Sequence, residues 1–401
     1  MKKLTIDNIG PVVHAELDLK QVNVIIGPQA SGKSCILKIA SFCAWVEKHI
    51  LLTCSFDCLN DKDFMRKELV EFHKLEGLMR EDSHFHYKTE YVDFEYDHST
   101  GCSAHNWNDQ RWKYERRRVS YIPAERNILS VIPNILDVRL SEDYVKSFVS
   151  DWNMVRKFFS LGKPLSIVDL NAKYHYDATN NNDYIDVPDC DPILLTNASS
   201  GIQSLVPMCS YLDFLFDKQY TDTLLSSPNA DLANQTFHRE LFSGKYQAPL
   251  SKEECEAIYT AYTKTHHSDI FLEEPELNIF PQTQVSLTYY LLERIKLHQD
   301  NLFLATHSHY ILYAINNCMI GHLVSDAVKE SENEDLLRFQ NSWIDPQLVG
   351  VWELDNGKLK AAEESPSNTI QDKYGLIRGN YFDRVMHNIM ADFTNLMNYY
   401  E

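Results

Sequence analysis

The chain has 401 residues, is 44% hydrophobic, and carries 38 Lys plus Arg against 57 Asp plus Glu, a formal net charge of −19. That length and apolar share suffice for a large core in two or three lobes and exclude general disorder, and the excess of acid repels a nucleic-acid backbone over most of the surface. No apolar run is long enough to span a membrane, the alternating start "MKKLTIDNIGPVVHAELDLK" does not read as a signal peptide, and nine scattered cysteines fit reduced thiols, so a soluble cytoplasmic protein is expected.

Residues 1–50 begin with alternation around Leu4, Ile6 and Ile9, then around Ala15, Leu17 and Leu19, and then a continuous apolar run, "VNVII". This predicts two or three strands, the last buried on both faces. The stretch Gly27-Pro28-Gln29-Ala30-Ser31-Gly32-Lys33-Ser34 follows, and after it a helix with Ile36, Ile39, Ala40 and Cys43 on one stripe. Strand, glycine loop, helix is the setting a phosphate-cradling loop requires.

Residues 51–118 read as an insertion, helical at first and then alternating aromatic ("FHYKTEY", "VDFEY"), which predicts antiparallel strands. Cys54 and Cys58 with His73 nearby are a partial zinc-ligand set without a second pair, and buried thiols are the plainer reading. The insertion ends in "RWKYERRRV", where Arg111, Lys113, Arg116, Arg117 and Arg118 interleave with Trp112 and Tyr114. That stretch reads either as a patch for phosphates and bases or, more simply, as the solvated face of a strand.

Residues 119–138 supply a core strand and the "PAER" loop, and 139–190 a helical insertion of mixed pattern ending in the turn-rich "DATNNNDYID". In 191–218, Ser200-Gly201-x-Gln203 opens an apolar helix whose N-terminus is dressed with small polar groups, suited to an anion or to an ordinary cap. Residues 219–262 are loop-rich and then helical, with Ser251 placed to cap through Glu254. Residues 263–325 hold two more apolar strands, one running into Glu273 and Glu274 and the other into Thr306 and His307. Residues 326–401 hold a hairpin turning at Asn356-Gly357 and a helix with Phe382, Val385, Met386, Ile389, Met390, Phe393, Leu396, Met397 and Tyr400 on one stripe. That stripe is expected to pack in the core, with docking to another subunit as the alternative through its adaptable methionines.

In an open parallel sheet, ligands bind beyond the carboxyl ends of the strands, so the glycine loop, Glu273, Glu274 and His307 are expected to converge. Lys33 would reach the β- and γ-phosphates of a nucleoside triphosphate, and Ser34 would bind Mg²⁺. Glu273 would hold the metal's water shell, Glu274 would polarise the attacking water, and His307 would bond that water or the γ-phosphate.

The order phosphate loop, Ser-Gly-x-Gln, Glu-Glu-Pro-Glu, Thr-His-Ser resembles the ABC-type ATPase head, in particular the prokaryotic ATPases related to the OLD family and to the heads of SMC and Rad50 proteins. The likeness covers roughly residues 1–50, 119–135, 191–215 and 265–320. It implies an α/β fold, an ABC-type P-loop head with a mixed core sheet, an antiparallel β insert and helical inserts. It places the Walker A loop at Gly27 to Ser34, the Walker B acid at Glu273, the catalytic glutamate at Glu274, the signature at Ser200, Gly201 and Gln203, and the switch histidine at His307. Glu273 stands where Asp is more usual, Ile202 replaces the second signature glycine, and the Q-loop position falls to Glu125 or Arg126, which leaves the metal's coordination open. The resemblance further implies ATP and Mg²⁺ as ligands and a head-to-tail homodimer, or a higher homo-oligomer, closed by ATP. A role in anti-phage defence with a separate effector, a nuclease or toxin, follows the same analogy, because the stretch beyond His322 holds no convincing Asp-x-Asp cluster for a nuclease module.

Overall fold

The computed structural model describes residues 2–221, 235, 237–239, 241, 251–331, 333–361 and 368–400. Much of the loop-rich part expected at 219–262 therefore lies outside the described residues. Fifteen strands form along them: β1 (Lys2–Ile9), β2 (Val12–Leu19), β3 (Val22–Ile26), β4 (Met79–Lys88), β5 (Val92–Asp97), β6 (Gly101–Trp107), β7 (Arg117–Ile122), β8 (Leu165–Ser166), β9 (Lys173–Asp177), β10 (Asn182–Asp186), β11 (Ile193–Leu194), β12 (His267–Glu273), β13 (Asn301–Ala305), β14 (Val349–Asp355) and β15 (Lys358–Lys360). The longer helices are α1 (Lys33–Thr53), α2 (Tyr144–Val155), α3 (Ser200–Asp213), α4 (Lys252–Thr263), α5 (Pro281–Arg294), α6 (His309–Leu323) and α7 (Tyr381–Met397).

Eleven strands make one mixed sheet in the order β6-β5-β4-β1-β2-β15-β14-β3-β13-β12-β7, and β8 to β11 make a second, four-stranded antiparallel sheet. Strand β3 is buried along its whole length because β13 and β14 flank it, both parallel, and helices cover both faces. Its side chains alternate between two cores. Val22, Val24 and Ile26 pack with α3, α5 and α6, and Ile25 packs with α1 and the antiparallel strands. The sheet is thus the middle layer of three.

Several expectations shift at this level. The strands of residues 51–118 pair antiparallel as expected, and β4 also pairs with β1, so they extend the main sheet; β7 begins at Arg117 rather than at 119. Residues 139–190, expected to be helical, form only one long helix, α2, and then three strands of the small sheet, because Tyr174 and Ile185 alternate into the core as strand residues do. The hairpin at Asn356-Gly357 forms, and its first strand, β14, lies inside the main sheet: all its residues but Asp355 are buried, and it pairs with β3. Ser251 and Glu254 make the expected capping box on α4.

The tail helix departs furthest. Phe382 alone of the stripe packs against the core, and from Arg384 onward every residue of α7 is exposed, so the rest of the stripe packs in no core. Nothing in the helix's own sequence distinguishes a buried stripe from an uncovered one.

Candidate functional site

Parallel register fixes where the functional side chains emerge. Glu273 pairs with Ala305, and Ala305 with Ile25, so the glycine loop, the acids and the Thr306-His307 turn leave the sheet at one edge, from the adjacent strands β3, β13 and β12. Strand β7 runs parallel to β12 and brings Pro123 to Asn127 to the same edge.

The glycine loop is held by its neighbours. Gly27 has φ +149°, and a Cβ there would sit 2.2 Å from the Leu354 carbonyl oxygen of β14; at Gly32, φ +109°, a Cβ would meet Val12 Cγ2 at 2.7 Å. Both positions demand glycine for space as well as for backbone angle. Lys33 Nζ donates to the carbonyls of Gly27 (3.0 Å) and Pro28 (2.7 Å). Burial draws this ammonium down to about 8, against the pull of Glu274 and Glu276. Ser34 is exposed one residue later, at the N-terminus of α1.

Glu273 is buried at the end of β12. One carboxylate oxygen accepts from Ala124 N at 3.3 Å, while Oε1 is buried without a donor in bonding geometry. An ionised oxygen in that position is costly unless something cationic meets it. Burial and then this carboxylate push the Tyr121 hydroxyl well above its ordinary range.

Glu274 adopts φ +42°, unusual for a residue with a side chain. Its N–H donates to Ala305 O (2.8 Å), which continues the strand ladder, and its Oε1 stands 3.6 Å from His307 Nε2. Burial, followed by Lys33, lowers the His307 pKa against the influence of Glu274, so the imidazole is neutral near pH 7.

Two further residues hold this arrangement: Arg126, considered above only for the Q-loop position, and Glu276, to which no role was assigned. Arg126, fully buried, donates to the carbonyls of Pro123 (3.2 Å), Glu273 (2.8 Å), Glu274 (2.7 Å) and Pro275 (3.4 Å). It braces the turn that carries the acids through their backbone, while Glu125 is exposed and accepts from the Tyr144 hydroxyl. Glu276 accepts from His307 N (2.5 Å) and Thr306 Oγ1 (2.8 Å), tying the acid turn to the histidine turn. The signal for Glu276 was its place in "EEPE"; no local pattern marked Arg126 as a clamp.

The Ser200-Gly201-x-Gln203 segment divides. Ser200 is exposed at the start of α3, and Gly201 lies against the acid turn, where a Cβ would come 3.0 Å from Asn278 O. Gln203 points elsewhere: its amide donates to the carbonyls of Leu195 (3.3 Å) and Thr196 (2.9 Å), so it closes the preceding turn instead of facing a phosphate. Pro207 has no N–H to give to the Gln203 carbonyl, and the Ser130 hydroxyl takes its place at 2.8 Å.

The basic stretch is mostly consumed inside the fold. Arg117 is buried and contacts Asp269 (3.1 Å) and Glu47 (3.7 Å); Arg118 contacts Asp151 (3.4 Å); Arg116 donates to Thr263 O (3.1 Å); Arg111 stacks on Trp107 and Trp112. Strand β7 packs against helices and β12, so these four arginines meet acids, carbonyls and rings of the protein, while Lys113 is exposed. Among the described residues, no group of three His, Cys, Asp or Glu is gathered for a metal, the Cys54, Cys58 and His73 set included. Mg²⁺ does not demand such a cage, since it keeps waters and shares phosphate oxygens. Among the same residues no helix is long and apolar enough to cross a membrane.

A scan against family models found no match, and neither did a search of curated proteins. Solved structures give weak likenesses. The SMC head domain from Thermotoga maritima is 12% identical, covering 78% of this chain and 90% of that one, with a TM-score of 0.37. An SMC head bound to the C-winged helix domain of ScpA is 10% identical, covering 78% and 90%, with a TM-score of 0.35. A dimeric post-hydrolysis ATP-binding cassette bound to ADP and Pi is 10% identical, covering 94% and 100%, with a TM-score of 0.30. At such scores the likenesses do not bear on the chemistry, and the side chains carry it instead.

Proposed function

We propose that the chain is an ABC-type ATPase that binds ATP with Mg²⁺, hydrolyses it, and pairs head-to-tail with a second copy when ATP is bound. The observation that carries this reading is the meeting of Glu274 and His307, 3.6 Å apart, at the strand edge from which the Lys33 loop also emerges.

Backbone N–H groups of the Gly27–Gly32 loop and the N-terminus of α1 offer dipoles to phosphate oxygens. Lys33 would exchange the carbonyls it now bonds for phosphate oxygens, gaining a charged partner. Ser34 and the unsatisfied Oε1 of Glu273 fit a magnesium ion and its waters, and that ion would neutralise charge developing on the phosphates. Glu274, half-exposed, is placed to orient and deprotonate an attacking water, and neutral His307 to donate to or accept from it. Ser200 and the Gly201 amide, free of the bonds that hold Gln203, would face the phosphates of the partner's nucleotide. Coupling of this cycle to a separate effector in anti-phage defence is the biological part of the reading and rests on the sequence resemblance.

The rival is a scaffold that holds ATP with little turnover. Glu274→Gln separates the two: a hydrolase loses turnover by roughly a hundredfold or more and keeps its affinity for ATP. Unchanged turnover in that variant excludes the proposal.

A further inference from the structure

Helix α7 begins with a firm root and then leaves the body. Asn380 and Asp383 form a capping box, Asp383 accepts from the Tyr313 hydroxyl of α6, and Arg384 bonds the buried Glu353 of β14 as well as Gly379 O (2.8 Å). Beyond Arg384 the helix is exposed on every side: Ile389 is 56% accessible, Phe393 57% and Leu396 70%. A helix of this length without tertiary packing is marginal in water. Its outer part is also nearly uncharged, since Asp392 is the one Asp, Glu, Lys or Arg from Val385 to Tyr400.

Phe382, Met386, Ile389, Phe393 and Leu396 follow one another at alternating steps of four and three, the seam along which two helices pack knobs into holes. Val385, Met390 and Met397 widen the seam. At its root lies an apolar groove of about 370 Å³ lined by His309, Tyr313, Phe382, Met386 and Ile389.

We infer that α7 is a nucleotide-independent dimerisation arm, and that its occupant is α7 of a second copy, packed antiparallel about a two-fold axis between Ile389 and Phe393. Three observations favour the second copy. A chain of net charge −19 repels its own kind over most of its surface, and this face carries almost no charge to oppose the approach. Antiparallel packing sets the partner's Leu396 to Tyr400 against the root groove, so an exposed apolar tail meets a largely apolar groove. It also sets the two helix roots, where the acidic bodies begin, about 25 Å apart, the length of a seventeen-residue helix. The large apolar side chains of the arm, about half accessible or more, present an area of the order that one side of a standard interface buries, roughly 800 Å². The contact is isologous and closed, and so distinct from an ATP-driven pairing of heads.

Sedimentation velocity on the full chain, without nucleotide and over a concentration series, tests this. Wild type is expected to be a dimer, and the double variant Ile389→Glu with Phe393→Glu to dissociate roughly a thousandfold more weakly bound. A chain that stays monomeric at every concentration, or a double variant that keeps the dimer, overturns the inference. So does a monomer that pairs only with a different polypeptide. Should the charged variant fold poorly, Phe393→Ala serves in its place, with thermal unfolding of the body as the control. Because nucleotide is left out, a dimer in a chain without ATPase activity upholds the arm and removes the proposed function, and the converse result does the opposite.

Discussion

Arg126 donates to the main-chain carbonyl of Glu274 at 2.7 Å and to that of Glu273 at 2.8 Å, so the two acids are positioned through their backbone by a cation that never touches their carboxylates. Burial lowers its pKa to about 10, still high enough to keep it charged at neutral pH. Arg126→Met strands buried carbonyls at about 1–3 kcal/mol each and frees the positive-φ turn at Glu274. The expected result is a lower urea midpoint together with a fall in kcat that exceeds any change in KM. Arg126→Lys should not rescue it, because one ammonium cannot span the carbonyls a guanidinium fork reaches.

Lys33 gives a pH signature. Its folded pKa of about 8 lies below the ordinary lysine value, so above pH 8, up to the unfolded pKa of about 10.4, the unfolded chain holds more protons and stability rises with pH. Nucleotide binding should run the other way, since phosphate favours the ammonium. Affinity for ATP is expected to fall by up to tenfold per unit above pH 8, and binding at pH 9 to take up close to one proton. Calorimetry in two buffers of different ionisation enthalpy measures the uptake; none in wild type, or an equal uptake in Lys33→Met, contradicts the assignment.

At Gly27 the prediction is steric. Alanine would put a Cβ 2.2 Å from the Leu354 carbonyl, so either the loop or the end of β14 must move. We expect Gly27→Ala to weaken ATP binding by at least about tenfold, a loss of some 1.4 kcal/mol, with the far-ultraviolet circular dichroism unchanged. Tight binding by this variant would show that the loop does not cradle phosphate in the form described.

Glu276 tests the coupling of the two turns. Glu276→Ala releases His307 N and the Thr306 hydroxyl together, and misplacing His307 by about an ångström is expected to lower kcat by roughly a hundredfold. Glu276→Gln, which keeps the acceptor oxygen, should recover part of that loss. Equal rates for the two variants would mean that the charge matters and the bonds do not.

Arg117 separates stability from nucleic-acid binding. Its removal leaves Glu47 and Asp269 buried without their cation, so Arg117→Met is expected to destabilise the fold by about 3–5 kcal/mol. Salt-dependent DNA binding that disappears in this variant without loss of stability would restore the basic stretch as an outward surface.

The local arrangement of the candidate site was legible in the chain because its parts are short and contiguous. An apolar run before Gly27, acids directly after "DIFL", and Thr306-His307 directly after "NLFLA" each announce a strand and the chemistry at its end. Parallel pairing then did the rest, since the register of β12, β13 and β3 leaves only one edge for them to share. Gln203 was less legible: its motif is local, but the direction of its side chain depends on the carbonyls of Leu195 and Thr196, which the preceding turn leaves open.

Periodicity and motif spacing marked the loop–helix unit and the amphipathic character of α7, both of which depend on neighbours within a few residues, while the class of the fold came from the resemblance those motifs carry. Tertiary structure alone decided that β14 walls the glycine loop, that Arg126 reaches across almost 150 residues to the acid turn, that Arg117 faces inward, and that the stripe of α7 faces water beyond Phe382. Each of these depends on which distant surface arrives at a residue, and a pattern read along one segment records what that segment offers without recording what comes to meet it.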